Sequence, residues 1–178
     1  MQQDLLELVW SEGMFLTPHH LQLWDRHQRQ RAWSLFEAHN PFPWGFKRLE
    51  VDLEALFDFR FSLVKLEAIL PGGQILALPG NLDLASRSFK DCLTNPKQPL
   101  AVYLGIPELR TDQPSLLRPE EANRLTQARY SLAELELTDE NTGQTPRRVE
   151  VKRVQGRLFF SGEETLGYQT IALAKVRL

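Results

Sequence analysis

Three histidines and an aspartate, His19, His20, Asp25 and His27, form the densest group of potential metal ligands in the chain. Helix-borne zinc chemistry needs two histidines four residues apart with a glutamate between them. His20 and His27 are seven apart, about 10 Å along a helix axis, too far for one ion. They read as hydrogen-bonded or exposed histidines. Cys92, beside Lys90 and Asp91, is the sole cysteine. It has no partner thiol for redox or metal work and reads as a small buried hydrophobe. The acid pairs Glu120-Glu121 and Glu163-Glu164 lie in polar stretches and read as solvated surface, since carboxylate catalysis needs burial. Arg147-Arg148, Lys152-Arg153 and Arg157 form a basic strip that Glu150 balances, and it too reads as solvated. No nucleophile elbow, phosphate-binding loop or dinucleotide fingerprint occurs. The residues predict no catalytic, metal or cofactor site, and hence a protein that is not an enzyme.

The bulk properties are those of a folded domain: 178 residues, 42% hydrophobic and 25% charged, with a net charge of −2. That charge gives no reason to expect nucleic acid or an anionic membrane as a partner. A single cysteine excludes an internal disulfide and suits a reducing compartment. The opening MQQDLLELVW has no basic n-region, and Asp4 and Glu7 interrupt its apolar residues, so it does not read as a signal peptide. No apolar run approaches the roughly 18 residues of a membrane span. One cytoplasmic domain over residues 1–178 is expected. The last strand pattern runs to Leu178, as in a chain cut from something longer.

The elements that would position any site begin with an apolar arm. Trp10 and Phe15 flank Ser11-Glu12-Gly13, where glycine permits a sharp reversal. Thr17 is placed as an N-cap and Pro18 as the first helical residue. The spacing predicts a helix from 18 to about 38, stopped by Asn40-Pro41-Phe42-Pro43. Leu21, Trp24, Ala32, Leu35 and Phe36 can share a face, yet Asp25 to Arg31 contains no apolar residue. That pattern fits a helix lying across a surface, held at its ends, rather than a core element. All four tryptophans fall at positions 10, 24, 33 and 44. Aromatic rings are enriched at interfaces. Leu8, Trp10, Met14, Phe15, Leu16, Trp24 and Trp33 are the candidates for contact with another protein.

After Trp44-Gly45 the period changes to two. Leu49, Val51 and Leu53, then Phe57, Phe59, Phe61 and Leu63, alternate with polar residues as in half-buried strands. The parity slips at Leu63-Val64, which predicts a bulge or corner. Pro71-Gly72-Gly73 predicts a hairpin into Ile75–Leu78. Residues 79–99 read as irregular. Leu100 to Ile106 reads as a central strand covered on both faces. A polar segment to about Arg129 follows, then a strand over Tyr130 to Leu137. Turns at Gln155-Gly156 and Ser161-Gly162 would divide the remainder into three strands. One helix and about eight strands predict a β-sandwich or distorted barrel.

The stretch Val9 to Gln28 resembles the N-terminal signature of the TssK family, the trimeric baseplate subunits of the bacterial type VI secretion system. Trp10, Glu12, Gly13, Met14, Phe15, Leu16, Pro18, His20, Leu21, Gln22 and Asp25 fall at the family's positions, with His19 where glutamine is commoner. Pro43-Trp44-Gly45-Phe46, Leu70-Pro71-Gly72-Gly73, Leu100 to Pro107 and Gly167-Tyr168 continue the likeness, with Gly72 where aspartate is common. The resemblance implies a structural adaptor: the shoulder domain of such a subunit, without the neck and head. The implied fold is the β-sandwich shared with the shoulder of siphophage receptor-binding proteins. The implied partners are the wedge proteins TssF and TssG, two further copies in a homotrimer and, through the absent head, the membrane complex of TssJ, TssL and TssM. The competing reading is a phage-tip-like receptor- or carbohydrate-binding sandwich with Trp33 or Trp44 as a stacking platform.

Overall fold

The computed structural model describes residues 6–93, 98–110, 112–118 and 127–177, which leaves Leu5, Glu120-Glu121 and Leu178 outside. The fold is mainly β with one long helix. The chain divides into two compact units, residues 1–47 with 67–75, and residues 48–66 with 76–178.

In the first unit, α1 spans Pro18–His39 and starts where Thr17 and Pro18 predict. Its cap is unusual, because His20 takes the part that glutamate plays in a capping box. His20 Nδ1 accepts the Thr17 backbone N–H at 3.1 Å and lies 2.8 Å from Thr17 Oγ1. The helix ends as the Asn40 N–H donates to the Glu37 carbonyl at 3.3 Å, just before Pro41. The Pro71-Gly72-Gly73 turn is closed by the Gly73 N–H to the Leu70 carbonyl and the Leu70 N–H to the Gln74 carbonyl, both 2.9 Å. Trp33, Ala68 and Leu70 are the buried apolar residues among the described residues of this unit.

Strand β1 spans Gly45–Val51, β3 Leu63–Ile69 and β4 Ile75–Leu78, and they form a three-stranded sheet in the order β1-β3-β4. The parity slip is real, and the break falls at Ser62. A two-residue strand β2, Arg60–Phe61, precedes it and pairs with β6, Arg87–Ser88, whereas β3 joins the other sheet. Leu53–Phe57 departs from the strand expectation and forms a short helix, α2. The Asp52 side chain accepts the Ala55 N–H at 3.1 Å, so a cap overrides the alternation of apolar residues. Phe59 then takes φ +55 as its N–H donates to the Leu56 carbonyl, which closes the helix and prevents an extended run. The stretch read as irregular holds β5, Leu82–Leu84, as well as β6.

The second unit is built on a six-stranded sheet. Its main path is β11-β7-β10-β9-β8, with β7 at Leu100–Pro107, β8 at Leu116–Leu117, β9 at Tyr130–Leu137, β10 at Arg147–Phe160 and β11 at Tyr168–Val176; β5 pairs parallel with β10. The expected central strand is there, with β7 antiparallel to β10 on one side and to β11 on the other. The expected turn at Gln155-Gly156 is not. β10 runs unbroken for 14 residues. It pairs with β9 through Val154 and with β7 from Arg157. Gly156 sits where the partner changes, and a Cβ there would lie 3.0–3.1 Å from Leu82, Leu84 and Leu104. Glycine at this point serves close approach rather than reversal. Phe61, Leu82, Phe89, Leu104, Leu158 and Phe160 are fully buried in this unit, and Phe89 meets Phe160 edge-on at 6.2 Å.

Candidate protein-docking surface

Residues 6–17, before α1, have no regular secondary structure apart from one turn. The Met14 N–H donates to the Ser11 carbonyl at 3.2 Å, with Gly13 at φ +76, so the reversal predicted at Gly13 forms. A second tie to the helix is His27, whose Nε2 stands 3.8 Å from Glu7 Oε1. His27 is mostly buried, and its Nδ1 has no hydrogen-bond partner among the described residues. His20 thus serves the helix cap and His27 faces the arm, and the described residues contain no group of three or more metal-ligating side chains.

Of the candidate contact residues, Trp10, Phe15, Leu16 and Trp24 are exposed, Phe15 at 85%. Leu8 and Met14 are half-buried. Trp33 is different: it is only 9% exposed and lies against Gly73. It therefore offers no platform for a partner or a sugar, while Trp44 remains open. The structure adds Leu6, Val9, Leu21, Leu35, Phe36 and Phe42 to the exposed apolar set. The signal for Leu21 and Leu35 was present in their shared face with Trp24. What the sequence lacked was the direction of that face. A stripe of apolar residues normally turns inward, and this one turns outward. Exposed apolar side chains grouped on one helix face supply the surface chemistry that a protein contact would use.

Charge elsewhere serves packing. Glu163, read as solvated, is taken into a two-pronged ion pair: Arg87 Nη1 donates to Oε2 at 2.6 Å and Nη2 to Oε1 at 2.5 Å. The Phe160 N–H donates to the same carboxylate at 2.9 Å, and Arg87 lies over the Phe160 ring. Its guanidinium holds the Glu163 carboxyl below the usual value, with the Phe160 N–H adding to this and partial burial opposing it. The basic strip divides between the two faces of β10. Arg153 pairs with Asp83 at 2.7 Å, Arg148 stands 3.8 Å from Glu134, and Arg157 lies over Phe159. A cleft of about 410 Å³ in the second unit is lined by Leu53, Leu56, Phe57, Phe59, Phe89, Val176 and Arg177, which includes no acid, base or nucleophile suited to catalysis. No helix among the described residues is long and apolar enough to cross a membrane.

Comparison with known proteins gives a consistent picture. The family model described as "Bacterial Type VI secretion, VC_A0110, EvfL, ImpJ, VasE" matches residues 20–178. The chain is 29% identical over 176 residues to the type VI secretion system baseplate component TssK1 of Pseudomonas aeruginosa PAO1, covering 96% of this chain and 37% of that protein. It therefore spans little more than a third of that relative's length. Its fold matches a crystal structure of TssK at a TM-score of 0.81 and 24% identity, covering 97% of this chain and 38% of the other. A chain of the TssK-TssF-TssG baseplate subcomplex determined by cryo-electron microscopy matches at 0.81 and 19% identity, covering 96% of this chain and 56% of the other.

Proposed function

Because the chain belongs to the bacterial type VI secretion family that includes VasE, ImpJ and EvfL, we propose that it is the shoulder module of a TssK-type baseplate subunit. It binds proteins and catalyses nothing. In this reading residues 1–178 form a single domain, a β-sandwich of the siphophage receptor-binding-protein type. The domain docks onto the TssF–TssG wedge on the cytoplasmic side of the inner membrane. The longer protein is a homotrimer whose head reaches the TssJ, TssL and TssM membrane complex.

The observation that carries the proposal is the open apolar surface of the arm and α1, in which Trp10, Phe15, Leu16 and Trp24 are exposed beside one another in sequence. Trp and other large side chains at such places commonly dominate binding energy. The test is co-expression of the chain with a TssF–TssG pair, followed by capture and light scattering. The wild-type chain should retain the wedge. Phe15→Asp should lower retention at least tenfold while leaving stability within about 0.5 kcal/mol, since an exposed side chain contributes little to folding. A wild-type chain that captures no wedge, alone or as a trimer, would refute the docking reading.

A further inference from the structure

The apolar stripe of α1 has the spacing of a helix-packing seam. Leu21, Trp24, Gln28, Arg31 and Leu35 follow one another at intervals of three, four, three and four residues. That alternation keeps one line of side chains facing a partner helix. All five are exposed, the three apolar ones at 52%, 48% and 58%. The less exposed residues Leu23, Gln30 and Trp33 lie on the other side of the helix, and mostly buried His27 flanks the seam next to Arg31. The seam is thus apolar at both ends and polar in the middle, and it runs about 21 Å from Leu21 to Leu35.

Arg31 decides what can cover it. It occupies a seam position, and no acid among the described residues pairs with it; the helix carries two acids, Asp25 and Glu37, each six residues away, and Asp25 holds Arg29 at 2.9 Å. A cation brought into a helix interface needs an anion opposite, because an unpaired buried charge is strongly unfavourable. The α1 helix of a second copy does not provide one. Parallel pairing sets Arg31 against Arg31, and antiparallel pairing with Trp24 facing Leu35 sets it against the neutral Gln28.

Resting on the docking reading above, we infer that this seam receives an amphipathic helix of the wedge with apolar residues at both ends and a carboxylate between them, opposite Arg31. The polar centre fixes the register, as a polar seam position does in coiled coils, and the two apolar ends supply buried area.

The experiment uses the 178-residue chain co-expressed with a TssF–TssG pair, with retained wedge quantified and helix content followed by circular dichroism. Arg31→Glu and Leu35→Asp should each lower retention at least tenfold, while Arg29→Glu, which reverses a charge off the seam, should change it less than twofold. In the otherwise unaltered chain, a photo-crosslinking residue at Gln28 should attach to a wedge segment that is helical and carries an acid, a readout that does not depend on the substitutions folding. Wild-type retention in all three variants would overturn the seam and leave the docking reading standing. A crosslink to a wedge segment without an acid would overturn the carboxylate. A smaller mass of the chain itself in Leu35→Asp, with wedge capture intact, would give the seam to a second copy and overturn the inference. Failure of the wild-type chain to capture any wedge would remove the docking reading, and the inference with it.

Discussion

Gly73 is held at φ +83 with the Trp33 indole against it, so that a Cβ at this position would lie 2.6 Å from Trp33 Cε3. Both the backbone and the space demand glycine: a left-handed φ penalises any Cβ, and overpacking adds to it. Gly73→Ala should destabilise the protein by about 2–4 kcal/mol, read from a denaturant midpoint; a loss below half of that would mean that Trp33 moves aside freely. Gly72, at φ +91 but with open space around its would-be Cβ, should cost less on the same change. Glu163 gives a pH dependence of known sign. Its carboxyl titrates below the ordinary 4.5 in the folded state. The stabilisation is therefore complete above about pH 4.5 and is lost as pH falls through the lower folded value. Glu163→Gln should cost about 1–2 kcal/mol near neutral pH, and its midpoint should converge on that of the wild type as pH falls through the lowered folded-state value. A constant gap across that range would mean that packing of the side chain, not its charge, is what the substitution removes.

At the scale of elements, the informative case is α2. Phe57, Phe59 and Phe61 alternate with polar residues as a strand would, yet Asp52 caps a helix there and Phe57 is 86% exposed. Alternation reports only that apolar residues sit two apart, whereas a cap satisfies backbone donors that would otherwise be left open. Asp52→Ala should lose about 1 kcal/mol; hydrogen exchange should then rise in residues 53–57 before the sheet loosens. The long helix was legible from Thr17, Pro18 and the Asn40-Pro41 stop because those signals are local. β10 was not, because Gly156 looks the same in sequence whether it serves a turn or a crowded crossing. Only the presence of Leu82, Leu84 and Leu104 around it distinguishes the two.

For the molecule as a whole, the arm is the part whose removal separates folding from binding. Most of its large side chains are exposed, and its tie through Glu7 and His27 is a 3.8 Å pair with Glu7 largely in solvent. Deleting residues 1–15 should therefore leave the thermal midpoint within about 3 °C, since a long ion pair with one partner in solvent contributes little, while wedge capture falls; a drop of ten degrees would make the arm part of the core instead. The residues by themselves determined what depends on neighbours along the chain. These were the turn at Gly13, the start and stop of α1, the hairpin after Leu70, the central strand at Leu100 and the family signature in Val9 to Gln28. Tertiary structure alone decided which side of each element meets the rest. It turned Leu21, Trp24 and Leu35 outward, set Trp33 against Gly73, drew Glu163 onto Arg87 and let β10 pass straight through Gly156. The reason is physical: hydrogen-bonding and turn preferences act over a few residues, whereas burial is fixed by partners that lie far away in sequence.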